Sequence, residues 1–309
     1  MPHPLSGLPG SEPGPGAGPV SPALLEALFD DAALLAVPEP DLTASLDRHR
    51  RLRAEPAGEL LLGPLLVPAG RVEALTQALL PGDHALPVVL VPDPGPGPAG
   101  PREAVAQLAA LRTARYLLLD DDRVQPVGVV VALPGGTDPG AAARAVVDAL
   151  DFTVPAWLRP APGDDGAGLL EVLAEDGAEG LALPAAGPDA LPDRLLAALL
   201  RAAVDRELTI RATGGPLPLL RPPAGVATDG PGALNLLCAV RAALNGAETA
   251  ELTEILVAVE PGPLLSAVRG MSDADAAVVR AFLAAVPLAP IASALVELDD
   301  LALLPADVR

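Results

Sequence analysis

Leu60-Leu-Leu-Gly-Pro-Leu-Leu-Val67 and Leu86-Pro-Val-Val-Leu-Val91 are apolar almost throughout, and an Ala/Leu-rich helical stretch running to Leu80 lies between them. Short runs of this kind, lacking the polar alternation of a half-exposed strand, read as strands buried on both faces of a parallel sheet. The same alternation continues down the chain. A helix is expected at Arg102–Arg112, strands at Tyr116–Leu119 and Val127–Leu133, and a helix at Ala141–Leu150. Strands at Phe152–Leu158, Gly180–Leu183 and Leu208–Thr213 follow, separated by helices near 168–175 and 189–205. Repeated βα units in this number point to an α/β fold, a TIM-like (β/α) barrel, with an open αβα sandwich as the alternative. One unit is irregular, because Asp120–Pro126 is too short for a crossover helix between two parallel strands. The ring is therefore expected to be incomplete, or to hold an antiparallel strand, around residues 114–133.

Working outward, residues 1–20 are rich in Pro and Gly and offer no apolar face, so they read as a disordered tail. Residues 21–58 read as a helical extension. Ser21-Pro22 starts one helix with Leu24, Leu25, Leu28 and Phe29 on its face, and Asp41 caps a second over residues 41–53. Residues 59–309 read as the barrel domain with C-terminal helices: Ala233–Leu244 stopped by Asn245-Gly246, then Glu248–Val259 and Ser272–Val286. Ser272 and Asp275 have capping-box spacing, and Ile291–Leu304 reads as a last strand or helix.

The composition excludes several function classes. The 309 residues carry a formal charge of −20 with a pI near 4.3, which disfavours nucleic acid and anionic membrane surfaces as partners. Copies of so acidic a chain repel, so self-association would need an apolar or locally neutral patch; the oligomeric state is not legible. The single Cys238 allows no disulfide within the chain and no multi-cysteine metal site. Lys is absent, which removes Schiff-base chemistry and a lysine-bearing phosphate loop. Heavy use of Ala, Pro, Gly and Arg fits a GC-rich coding sequence. The N-terminus has no basic region followed by an apolar core, so a soluble cytoplasmic protein is expected. No motif asks for a cofactor.

The most informative segment for function is Leu208–Arg221, where a strand ends in Thr213-Gly214-Gly215. At a barrel's C-terminal rim, exposed backbone N–H groups there would hold an anion, with Arg211 and Arg221 as bidentate partners. A plain Gly-Gly turn with Arg211 paired to a carboxylate is the alternative. Arg159, ending its strand, would face the same mouth. Asn235 lies among leucines and needs a partner, structural or ligand. Asp120-Asp121-Asp122, read as following a strand, would present carboxylates for a metal or a base, or else form a solvated turn. Cys238 reads as a small core residue, and His3, His49 and His84 assemble neither a triad nor a zinc site.

Over residues 59–305 the order of segments resembles a family of uncharacterised bacterial β/α-barrel-domain proteins. The resemblance is carried by Pro64-Leu65-Leu66-Val67-Pro68, by Ile210-Arg211-Ala212-Thr213-Gly214-Gly215 with Arg221, and by Pro231-Gly232-Ala233-Leu234-Asn235. It implies a cationic pocket at the strand ends. Arg211 stands where the family has lysine, Leu217 and Pro218 lie in the region of two histidines, and Pro231 replaces another. The segment Ala182–Gly187 loses two further cations. The expected function is thus a non-catalytic or degenerate barrel binding a small anionic ligand or a partner. The alternative is an enzyme on a phosphorylated or carboxylated metabolite.

Overall fold

The computed structural model describes residues 20–308 except 37, 39, 84, 96, 137, 152, 177–179, 188, 224–229, 306 and 307. The expected tail (apart from Val20), His3, His84 and the first residue of the Phe152–Leu158 strand lie outside the described residues. The apolar runs form a ring of parallel strands: β1 (Phe29–Asp31), β2 (Leu62–Pro68), β3 (Leu86–Val91), β4 (Val124–Ala132), β5 (Ala156–Arg159), β6 (Gly180–Pro184), β7 (Ile210–Thr213) and β8 (Leu283–Leu288). Each pairs in parallel with the next, and β8 pairs with β1 to close the barrel.

Along the strands, buried residues divide with a period of two. Leu65, Val67, Val88, Leu90, Val129, Val131, Leu181 and Leu183 pack outward into the large core shared with the helices. Leu66, Val89, Val91, Val130, Trp157 and Ala182 form a separate inner cluster, the lumen of the ring.

Three expectations change. The ring is complete at residues 114–133, because the expected strand Tyr116–Leu119 is the end of a helix spanning Pro101–Leu118. That helix buries Ala104, Leu108, Leu111, Ala114 and Leu118 on one face, so the 3.6-residue period prevails over a four-residue apolar run. Phe29, read as part of a helix, opens β1, and the helix before it is only Pro22–Leu25. Ser272–Val286 divides into a helix, Asp273–Phe282, and β8; the Ala-rich join suits either state, and pairing with β7 and β1 decides it. Of the two readings of Ile291–Leu304, the helix is the one adopted, over Ile291–Asp300.

Ser21 makes no side-chain cap to the helix Pro22–Leu25, but two other caps act as read. Asp41 accepts from Ala44 N at 2.7 Å and caps the helix Leu42–Arg53, while Ser272 and Asp275 cap reciprocally. On that first helix His49 is buried, its Nδ1 2.9 Å from Asp31 Oδ2, an outward-facing carboxylate of β1.

Inside the lumen, the chain's single Trp lies edge-on against its neighbours. A Cβ at Gly128 on β4 would sit 2.4 Å from Trp157 Cζ3, and one at Gly180 on β6 would sit 2.6 Å from Trp157 Cδ1. Absence of a side chain on both adjoining strands makes the space for the indole. Gly128→Ala should therefore destabilise the fold by about 1–3 kcal/mol through overpacking. Denaturant unfolding followed by tryptophan emission measures the loss.

Cys238 lies fully buried on the helix Ala233–Leu244, its thiol donating to Leu264 O at 3.6 Å. Burial pushes that thiol up to about 12, so it remains protonated and unreactive at neutral pH. A disulfide reagent at pH 8 should leave the native protein unlabelled and titrate one thiol after denaturation.

Candidate functional site at the barrel mouth

Asp30, at the middle of β1, is fully buried and points into the lumen. Its Oδ1 accepts from Arg211 Nη2 of β7 at 2.6 Å, and the Arg211 guanidinium stacks 4.5 Å over the Trp157 ring. Burial pushes the Asp30 carboxyl above its ordinary range, while Arg211 and, more weakly, Arg280 pull it down. Arg280 comes from the opposite end, donating to Leu283 O, Ala284 O and Glu26 O. Aspartate, arginine and tryptophan from β1, β7 and β5 thus fill the lower lumen as one polar-aromatic stack.

Above this floor, at the C-terminal ends of the strands, opens a cavity of about 370 Å³. Leu35, Leu66, Val91, Val130 and Pro287 provide apolar wall, and Arg211, Arg159, Thr213, Asp93 and Gly214 provide the polar and backbone lining. Arg159 faces Asp189 with an Nη2 to Oδ2 distance of 3.1 Å, but the approach has no hydrogen-bond geometry. Its Nε is buried without a partner, as is Nε of Arg211. Burial lowers the pKa of Arg159 and Asp189 opposes this. The Thr213 hydroxyl donates to Leu183 O at 3.2 Å, and Asp93 at the rim accepts from Gly70 N at 2.8 Å.

Gly214 owes its identity to crowding as well as to the cavity. It has φ +100°, and a Cβ there would lie 2.0 Å from Ala186 O in the loop after β6. Gly215 follows it without lining the cavity. The turn and the cavity wall are one and the same segment.

The structure therefore brings Arg159, Arg211, Thr213 and Gly214 to one cavity and takes Arg221 and Asn235 elsewhere. Arg221 forms a fork with Asp193, at 2.6 and 3.1 Å, and also donates to Leu256 O. Asn235, fully buried, accepts from Gly232 N and Arg221 N and donates to Ile255 O and Ala258 O. Its donors and acceptor are consumed in fastening a helix start, so its role is structural. Asp120–Asp122 are corrected too. They follow a helix rather than a strand and lie at the opposite, N-terminal end of the barrel. Asp121 is held below its ordinary range there by a two-pronged contact from Arg123, at 2.8 and 2.7 Å. Among the described residues no cluster of three His, Cys, Asp or Glu side chains is placed to hold a metal ion.

Sequence reasoning missed Asp30, Asp189, Asp93 and Trp157. Asp93 lies two residues past the end of an expected strand, and that position was the available signal. Asp30 was hidden by the helical reading of Phe29, and the single Trp157 carries no motif.

The chain matches no family model, and no match is found among curated proteins or among solved structures. No helix among the described residues is long and apolar enough to cross a membrane.

Replacing Arg211 by Leu would leave Asp30 buried without its ion-pair partner, at a cost of about 3–5 kcal/mol. A buried carboxylate with a raised pKa holds its proton in the folded state longer than in the unfolded one. Its contribution is fully present below the unfolded pKa and is lost as pH rises through the folded pKa. The deficit of Arg211→Leu relative to wild type should therefore be larger at pH 8 than at pH 4.5. Adding Asp30→Asn should recover part of it, as measured by thermal unfolding at both pH values.

Proposed function

We propose that this chain is a soluble, cytoplasmic and non-catalytic (β/α) barrel whose strand C-terminal mouth binds a small anionic molecule. One observation carries this reading: two guanidiniums line one cavity with most of their N–H groups unspent. Arg211 makes a single hydrogen bond, to Asp30, and Arg159 makes none among the described residues. Buried donors without acceptors cost free energy, and an acceptor-rich ligand removes that cost. Position supports the same reading, since barrel ligands dock at the strand C-terminal rim. So does the resemblance to barrel proteins with a cationic pocket, in which Arg211 stands at a lysine position.

The lining favours binding over catalysis. Among the described residues its side chains include no His, Cys or Lys, and one carboxylate, Asp93, which is exposed at the rim with Oδ1 engaged. Asp120–Asp122, the groups an enzyme acting on a phosphorylated metabolite was expected to use, face away from the cavity. Melting temperatures in acetate, benzoate, sulfate, phosphate and glucose 6-phosphate test the reading. An anion at a hundred times its dissociation constant stabilises by about 2.7 kcal/mol. At least one should raise the melting temperature of wild type but not of Arg159→Met. Identical responses in the two proteins, or none in either, would remove the anion site.

A further inference from the structure

We infer that the ligand class is a monocarboxylate with a hydrocarbon body, clasped through its head by Arg159; this rests on the mouth being a ligand site. Three observations narrow the anion. First, the walls formed by Leu35, Leu66, Val91, Val130 and Pro287 offer no partners to hydroxyl groups. A sugar phosphate would bury its hydroxyls unpaired there, whereas a hydrocarbon body gains from every wall it touches.

Second, the local charges are already nearly balanced. Arg211 faces Asp30, Arg159 faces Asp189, and Asp93 adds a carboxylate at the rim. A phosphate dianion would bring two more negative charges against Asp93 and Asp189. A carboxylate brings one, spread over two oxygens whose spacing matches the guanidinium fork.

Third, the two arginines are not equally available. Arg211 is fixed below by a 2.6 Å bond to Asp30 and by its stack on Trp157, which makes it the floor of the cavity. Arg159, only 12% exposed at its side chain, meets Asp189 without a hydrogen bond, so its N–H groups are free to turn to a ligand. Asp189 competes with the ligand for this guanidinium and so acts as a restraint on affinity.

The test uses hexanoate, hexanol, inorganic phosphate and glucose 6-phosphate on the full chain, with calorimetry as the readout and emission of Trp157, the only tryptophan, beside it. Hexanoate should bind wild type at least tenfold more tightly than hexanol, and the phosphates should bind more weakly than hexanoate. Arg159→Met should erase the gap between acid and alcohol, with folding checked by circular dichroism. Asp189→Asn, which keeps Arg159 and frees it, should tighten hexanoate severalfold and leave hexanol unchanged. Equal affinity for hexanoate and hexanol in wild type, or Asp189→Asn without effect on hexanoate, overturns the monocarboxylate clasp. Preference for a phosphate also overturns it, while leaving the anion-binding mouth intact. Failure of every probe to bind overturns both.

Discussion

The Asp30–Arg211 ion pair, laid against Trp157, is the contact on which the interior depends. Eight strands enclose a lumen that must be filled, and the usual filling is layered aliphatic side chains. Here one layer is polar and aromatic. The indole occupies room left by glycines on its two neighbouring strands, and the guanidinium lies over it. An ion pair of this kind contributes little net stability against a hydrophobic equivalent, but losing one partner is costly. It ties β1 to β7, the two neighbours of β8, through their side chains.

That layer also decides what the mouth above it offers. Arg211 enters the cavity as a fixed surface with its charge already answered by Asp30, so it resembles a polar floor more than a hand reaching for a ligand. Arg159 and Asp189, one layer higher, are a looser pair. Availability of a cation for binding is thus set by how well its neighbouring carboxylate satisfies it, and the two arginines lie at opposite ends of that scale.

Much of the barrel was legible in the sequence because β2, β3, β6 and the later part of β4 are apolar runs whose burial on both faces needs no alternation. The misread elements were those whose state is set by distant partners. β1 contains Phe29-Asp30-Asp31, two carboxylates that no local rule places in a buried strand; Arg211 and His49, far along the chain or on the next helix, make it possible. β8 follows a helix without a break, and only its two neighbours distinguish strand from helix. The Asp120–Asp122 turn was placed at the wrong end of the barrel because one helix end was read as a strand. At the site, Arg159, Arg211, Thr213 and Gly214 were visible through their position at strand ends. Arg221 was chosen as a cation near the glycine pair and Asn235 as an amide among leucines, yet Asp193 and the carbonyls of Ile255 and Ala258 occupy them. Asp189 and Trp157 carry no periodic or motif signal, and only packing identifies their part.

The separation of 181 residues between Asp30 and its partner has a consequence for biosynthesis. β1 leaves the ribosome before Arg211, and well before Arg280 and β8, with which the ring is closed. Until Arg211 is made, β1 has β2 to pair with but Asp30 lacks the guanidinium it is buried against. Closure of the ring in this way waits for the synthesis of β8.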